Sequence, residues 1–419
     1  MVKGLFLFCN DLRLHDNSAL ARASAMSDSL LCAAGKWVSQ YNQPPFVGRL
    51  VYGRNRDAFF QQSVKALYDS MAEIGHPLLC EEYISLHSVS ELISRHAITH
   101  VFRSENAGCD ENNLWQKLVN SHPNVQFETT PSHTLFAKDE LPFELNDLPA
   151  SFSKFRRDME ALEICEPLAD IESLPPSPIQ AIESIDWVCA DNTSPFIGGE
   201  SEGLIHLKQY FSGSWPLSYK QTRNDLDGWD FSTKFSPWLA LGCLSVRTIV
   251  DYLKRFEIKF GRNESTEWIM FELLWREYFQ WYAHSHGHKL FAYEGIKDNS
   301  PDTNHCPQAL ESWMKGQTQY PIVNACMTQL NETGYLSNRG RQLVASCLVN
   351  ELGLDWRYGA LYFEYLLIDY DVGCNWGNWQ YLAGVGADQR QKRHFNLQKQ
   401  AEIYDPENRY TNRWLGECQ

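Results

Sequence analysis

Long apolar runs are missing from this sequence: no stretch approaches the roughly 20 consecutive apolar residues that a membrane-spanning helix needs. The apolar run from Gly4 to Cys9 is too short for a secretory core, and Asp11 and Arg13 follow it at once, so it reads as a strand. The 12 cysteines lie singly, and none forms a CxxC pair. That removes the usual cysteine zinc site and the thioredoxin-type motif, and leaves reduced, mostly buried thiols of a cytoplasmic protein. Neither GxGxxG nor a Walker loop occurs, so both common nucleotide fingerprints are absent. Positive charge is also scarce, with 37 Lys plus Arg against 52 Asp plus Glu and a net charge of −15. A surface coated in positive potential is excluded, and any nucleic-acid contact must be a local patch.

Aromatic residues, by contrast, are plentiful: 14 Trp, 19 Tyr and 22 Phe in 419 residues. They carry large buried areas and broad π-faces, in keeping with a planar ligand. The chain exceeds the roughly 250 to 300 residues at which one core usually splits, so two bodies are expected. The first third alternates β-rich runs, among them VKGLFLF, LLCAAGKW, HPLLCEEY, THVFRSE and VQFETTP, with helical stretches. Over 53–75, Phe60, Val64, Leu67, Met71 and Ile74 recur by threes and fours, predicting an amphipathic helix. This alternation predicts an α/β body with a doubly wound parallel sheet over 1–130. Residues 131–199, rich in proline and glycine, read as a long linker that one helix around SFSKFRRDME interrupts. From 200 to 419 the strand pattern gives way to long apolar-periodic helices, an all-α body. GESEG at 199–203 matches the serine-hydrolase elbow, but Pro195 and two glycines stand where the motif needs a strand.

Four stretches of the helical body place polar residues where a helix has little use for them. In FELLWREYF, Glu272 and Arg276 sit four apart on a strongly apolar helix. They form either an intrahelical pair worth a few tenths of a kcal/mol or a pair facing a ligand. In SNRGRQLVASCL, Asn338 can cap a helix whose first turn carries Arg339 and Arg341, where cations oppose the dipole. Asp369 and Asp371, read as ending another helix, are equally misplaced, and the two sets could answer one another across a site. STKFSPWLALGCLS offers Ser232, Thr233 and Ser236 with Lys234 before a helix, and Tyr219 lies upstream; hydroxyls, a lysine and a helix amino terminus suit a phosphate. Together these describe a site for an aromatic dinucleotide such as a flavin, with the tryptophans of IDYDVGCNWGNWQY beside it.

In this order, LFCNDLRLHDN, SFSKFRRDME, PFIGGE, YKQTRN, STKFSPWLALGCLS, FELLWREYF, NRGRQLVASCLVNELGLDWRYGA, IDYDVGCNWGNWQY and FNLQKQ resemble the photolyase/cryptochrome family, in particular its DASH type, over nearly the whole chain. The resemblance implies an amino-terminal antenna domain, a linker and a helical FAD-binding catalytic domain. It implies that Tyr219, Thr233, Lys234, Phe235 and Ser236 lie on the phosphate side of FAD, and that Arg276, Asn338, Arg341, Asp369, Asp371 and Asn375 surround its ring and ribose. It implies blue-light-driven repair of cyclobutane pyrimidine dimers, preferentially in single-stranded DNA, by a monomer without a membrane partner. Glu272, Trp275, Gln342 and Tyr381 match the lesion pocket, and Arg223, Arg339, Arg393 and Gln400 match backbone-contacting positions. Arg390, Lys392 and Arg393 would supply the local basic patch. Trp379 and Trp356 match two members of a three-tryptophan relay, while Tyr370, Trp376 and Tyr381 read as packing or pocket wall.

The chain departs from the family at three places. Thr303 stands where the third relay tryptophan belongs. Gln319, in GQTQYP, replaces a glycine. RSENAGCDEN puts Cys109 or Asp110 where many members have an antenna-binding glutamate, which leaves a methenyltetrahydrofolate antenna open. The incomplete relay and the acidity also fit a second reading, a blue-light photoreceptor with little or no repair activity.

Overall fold

The computed structural model describes residues 1–37, 52–180, 193–297, 299–387 and 393–416. Arg390 and Lys392, two of the three residues of the expected basic patch, lie outside them. The five β-rich runs become β1 (Lys3–Leu7), β2 (Ser29–Trp37), β3 (Leu78–Ile84), β4 (His100–Ser104) and β5 (Gln126–Thr130). They pair in the order β3-β2-β1-β4-β5, every pair parallel, with Gly4 opposite Leu30 on one side and His100 on the other. Four helices make the crossovers: α1 (Ser18–Met26), α2 (Arg54–Glu73), α3 (Leu86–His96) and α4 (Cys109–Ser121). On α2 the apolar stripe turns inward, burying Phe59, Phe60, Val64, Leu67 and Met71.

In a sheet of this order the crevice lies past the carboxyl ends of β1 and β4, where the winding reverses. Here the chain fills that place with its own polar groups. Asp11 accepts from the Cys9 amide (2.6 Å) and from the Ser104 hydroxyl. Arg13, 1% exposed, donates to four carbonyls: His15 (3.0 Å), Asp16 (3.0 Å), Ser132 (2.7 Å) and Gly242 (2.9 Å). Glu200 takes the Leu14 and His15 amides and meets the His15 ring at 2.5 Å. Asp16 pairs with Arg247 at 2.7 Å. The RLHDN run therefore ties the sheet to the helices beyond residue 200.

The segment after β5 is no slack tether. Its helix α5 (Phe152–Met159) packs on the core, and the 132–137 stretch docks on a later helix through Glu277, which accepts from the Leu135 (2.8 Å) and Phe136 (3.4 Å) amides. GESEG opens α6 (Glu200–Ser212) rather than a strand-to-helix elbow, with Glu200 engaged by His15, so the hydrolase reading falls.

Helices then follow one another: α7 (Tyr219–Thr222), α8 (Ser236–Ala240), α9 (Val246–Phe260), α10 (Glu264–His286), α11 (Pro307–Met314), α12 (Pro321–Thr333), α13 (Asn338–Ser346), α14 (Trp356–Leu366), α15 (Val372–Ala383), α16 (Leu397–Tyr404) and α17 (Arg409–Leu415). The 23-residue α10 is apolar almost all round and is buried from Glu277 through Ala283, as a central helix must be. Asn263 caps it, accepting from Ser265 and Thr266 amides. Glycines on α15 let that helix approach: a Cβ at Gly373 would lie 2.5 Å from the Phe279 carbonyl oxygen, and one at Gly377 2.3 Å from the Phe279 ring. The helix that opens at Asn338 gives way at Cys347 to a π-turn, Cys347–Glu351, a form that recurs at functional sites. No helix among the described residues is long and apolar enough to cross a membrane.

Candidate flavin and nucleic-acid site

Helices α7, α8, α10, α13, α14 and α15 surround a cavity of about 460 Å³, within the range of small-molecule sites. The carboxyl end of one helix and the amino end of the next explain its polar lining. Asp371 does not end a helix, as the sequence had implied; it caps α15, accepting from the Cys374 amide (2.8 Å), where a carboxylate is favourable. Likewise Ser337, not Asn338, caps α13, accepting from the Gly340 amide at 3.1 Å. The misplaced charges do meet: Arg341 donates to Asp369 at 2.7 Å and to the Leu336 carbonyl at 2.8 Å. Asp369 raises the pKa of that guanidinium further, against burial.

Arg276 and Glu272, the pair four residues apart, turn away from each other. Arg276 donates to the His133 carbonyl (2.7 Å) and lies 3.9 Å from Asp371, whose carboxylate also accepts from Gln280 at 2.6 Å. Glu272 instead pairs with Arg223 at 2.7 Å and accepts from the Trp268 indole at 3.0 Å. Burial pushes its carboxyl up, while Arg223 and the Trp268 hydrogen bond pull it down.

Of the residues matched on sequence, the cavity brings together Tyr219, Thr233, Lys234, Ser236, Arg276, Asn338, Arg341, Asp369, Asp371, Asn375 and Trp379, with Arg223, Glu272, Trp275, Gln342, Tyr381 and Arg393. Four do not line it. Phe235 is 2% exposed, its ring packed edge-on against Tyr210 (5.2 Å) and His206 (5.6 Å). Trp356 is buried elsewhere in the core. Arg339 and Gln400 form a pair outside, 3.4 Å apart, where the Arg339 guanidinium lies 4.6 Å from the Tyr404 ring. Arg393 lines the cavity itself, 4.3 Å from the Tyr381 ring. The π-turn and the last residue of α13 hold this stretch: Asn350 donates to the Arg393 carbonyl (2.9 Å), and Ser346 accepts from the Phe395 amide (3.0 Å).

The lining fits a flavin dinucleotide on three observations. Among the described residues, Gln342 Oε1, Asp369 Oδ1 and Trp379 Nε1 are buried cavity-lining atoms without a hydrogen-bond partner, and a folded chain rarely leaves such atoms so. Lys234 is 8% exposed, and the partner its ammonium has is the Tyr335 hydroxyl at 3.5 Å, a place an anion would fill. It also adopts φ +55, an unusual backbone for lysine that functional sites retain. Asn375 donates its amide to the Ala360 carbonyl (3.0 Å), which fixes its orientation on the wall.

Several lining residues escaped sequence reasoning, notably Tyr335, Ser337, Phe363 and Asn378. Asn378 lies one helical turn past Asn375 and could have been found by that spacing; Phe363 and Tyr335 carry no local signal. Another missed support is Phe152 on α5, stacked on Trp275 at 3.8 Å and 12°. The tryptophans inside also differ from the expected series. Trp379 has Phe363 at 5.1 Å and Trp313 at 6.4 Å, Trp356 has Trp376 at 5.8 Å, and Thr303 is bonded to the Tyr293 hydroxyl at 2.6 Å. In RSENAGCDEN the acid drawn inward is Glu111, which folds over Gly108, rather than Asp110; burial pushes its carboxyl up.

Comparison with known proteins gives the same site a context. A family described as DNA photolyase matches residues 4–176, and one described as the FAD binding domain of DNA photolyase matches 268–419. A Cryptochrome DASH of Idiomarina loihiensis is 50% identical over 99% of this chain and 93% of its own length. One of Vibrio parahaemolyticus is 47% identical, with the same coverage of 99% and 93%. The solved cryptochrome of Synechocystis sp. PCC6803 superposes with a TM-score of 0.91 at 38% identity, covering 100% of this chain and 89% of the other.

Proposed function

Because the chain belongs to the photolyase/cryptochrome family, in its DASH branch, and carries the FAD-binding domain, we propose that it repairs cyclobutane pyrimidine dimers under blue light, preferentially in single-stranded DNA. On this reading residues 1–130 form the antenna-type domain, 131–199 the linker and 200–419 the catalytic domain of a monomer. The observation that carries the proposal is one cavity in which Glu272, Trp275, Gln342 and Tyr381 stand with Arg341, Asp369 and Asn375. A lesion pocket and a flavin pocket would thus share a wall.

Bound FAD supplies the light-driven one-electron chemistry that opens a cyclobutane ring. This chain's residues do the rest. Lys234, Thr233, Ser236 and Tyr219 take the phosphates; Arg276 and Asp371, with Arg341 and Asp369, hold the polar edge of the ring. Asn338 and Asn375 complete that wall. Glu272, held by Arg223, presents a carboxyl to the lesion's polar edge, and Trp275 and Tyr381, whose rings meet edge-on at 6.0 Å, supply apolar faces for two bases taken out of the stack. Extrusion costs a few kcal/mol, and less from a single strand. Arg223, Arg339, Arg393 and Gln400 contact the flanking backbone, a small patch consistent with an acidic protein. Trp379 and Trp356 carry electrons inward when the cofactor needs reducing.

The test is to purify the protein in the dark, record its absorption spectrum, then illuminate it with a reductant and a dimer-containing single-stranded oligonucleotide. Light-dependent loss of dimers by the bound flavin is the expected result. Confirmed full reduction without dimer loss would favour the photoreceptor, a reading to which Thr303 in place of a relay tryptophan lends support.

A further inference from the structure

Trp376 is buried and lines no part of the cavity, yet its ring meets that of Trp356, one of the two tryptophans assigned to the relay. On α15 it precedes Trp379 by three residues, which makes the two side chains neighbours on one helix face, and its ring centroid is 5.8 Å from that of Trp356 at 81°. Its indole N–H is shared between Glu364 Oε2 (3.1 Å) and the Tyr370 hydroxyl (3.2 Å). The neighbouring indoles have nothing comparable. Trp356 donates to the Tyr293 carbonyl (3.1 Å), Trp313 to the Val344 carbonyl (2.9 Å), and Trp379 has no partner. A backbone carbonyl cannot take a proton at ordinary pH; a carboxylate can. A carboxylate against an indole N–H also stabilises the positive charge that one-electron oxidation creates.

We propose that Trp376 completes the electron path in place of the tryptophan absent at Thr303, with Glu364 as the base that receives its indole proton. The proposal rests on the reading of Trp379 and Trp356 as a relay. One electron leaves Trp376 and fills the vacancy on the oxidised relay tryptophan; the oxidant at the head of the path is the photoexcited oxidised flavin. The N–H bond of Trp376 breaks and an O–H bond forms on Glu364, leaving a neutral indolyl radical beside a neutral carboxylic acid. A thiol in solution later returns one electron, and Glu364 returns the proton. Separation of charge is thereby converted into two neutral groups, which slows the return of the electron.

The groups facing Glu364 come from several elements. Arg56 of α2 donates to its backbone carbonyl and lies over the Tyr370 ring at 4.5 Å and the Tyr52 ring at 3.9 Å; Tyr52, Glu111 of α4, Tyr370 and Trp376 complete the set. Burial pushes the carboxyl up to about 7 and Glu111 adds to that, while Arg56 and the hydrogen bonds from Tyr370 and Trp376 oppose it. Above that value the carboxylate accepts the proton; below it the site is already filled.

The experiment is laser-flash absorption on the flavin-loaded, oxidised protein, reading the protonated and deprotonated forms of the tryptophan radical between pH 5 and 9. Wild type should give a deprotonated radical whose yield falls on acidification. Glu364→Gln should leave the radical protonated at every pH and shorten its life about tenfold, and Trp376→Phe should lower the long-lived yield by a similar factor. Tyr293→Phe, at the Thr303 side, should behave as wild type. An independent readout is the infrared difference band of a protonated carboxyl, present in wild type and gone in Glu364→Gln. Wild-type radical yield in Trp376→Phe with unchanged flavin occupancy overturns the proposal. Should that variant lose its flavin, a Glu364→Gln protein indistinguishable from wild type overturns it instead. A full signal in Trp379→Phe would fail the relay reading itself, which is a separate outcome.

Discussion

The polar cluster around Arg13, where the sheet meets the helices, and the polar cluster around Arg341, in the cavity, use the same residue types and end differently. Around Arg13 every buried side-chain nitrogen and oxygen of Asp11, His15, Asp16, Asn17 and Glu200 has a partner. Around Arg341 the pairing stops short, leaving Asp369 Oδ1, Gln342 Oε1 and Trp379 Nε1 without one. An unmade buried hydrogen bond costs on the order of 1 to 3 kcal/mol. A chain that completes one cluster and leaves the other open has built a joint in the first case and a receptor in the second. The sheet's own ligand crevice, at its switch point, is occupied by the joint.

The sharpest way to break this contrast is Arg13→Ala. Four carbonyls lose their donor at a buried site, so unfolding free energy by denaturant should drop by about 3 to 5 kcal/mol. Flavin bound per folded molecule should stay unchanged. Arg341→Ala should do the reverse, weakening FAD about 100-fold, or about 2.7 kcal/mol, in a fluorescence titration, with a smaller loss of stability in the flavin-free protein, because water can enter the cavity and solvate Asp369. Gln342→Met sharpens the comparison further. Removing an acceptor that has no partner should leave flavin-free stability unchanged or raise it by up to about 1 kcal/mol, while affinity for a dimer-containing single strand declines about tenfold.

A test of another kind concerns Glu277, which belongs with the completed cluster through its bonds to Leu135, Phe136 and Trp281. Burial pushes its carboxyl up to about 7, against those hydrogen bonds and Arg276. The folded state therefore holds the proton more tightly than the unfolded chain, and stability is fullest below the ordinary carboxyl value and declines as pH rises through about 7. Melting temperature measured from pH 4 to 8 should fall over that window in wild type and flatten in Glu277→Gln. A pH-independent wild-type melting temperature would contradict a raised carboxyl at Glu277.

Much of this was legible in the chain because periodicity and punctuation are local. The five strands, α2, α5, α10 and α14 follow from apolar spacing, and the charges of Arg341 and Asp369 were legible as a pair because each lacked a local partner. What failed was geometry set by neighbours distant in sequence. Asp371 reads as a helix end until α14 stops at Leu366 and α15 begins behind it. Glu272 and Arg276 read as either a pair on one helix or a pair facing a ligand, and Arg223, just past the end of α7, decides against the first by taking Glu272 itself. Phe235 sits in a run matched to the phosphate side, yet its ring turns into the core because Tyr210 and His206 offer an apolar face. Trp376 reads as packing, and only the approach of Glu364 and Trp356 gives it another part.

The most direct test of the contrast between joint and receptor is the difference in melting temperature between flavin-loaded and flavin-free protein, measured in parallel for wild type, Arg13→Ala and Arg341→Ala. The predicted result is a lower melting temperature but an undiminished difference in Arg13→Ala, and a difference that collapses in Arg341→Ala. A difference that collapses in Arg13→Ala and survives in Arg341→Ala would contradict it.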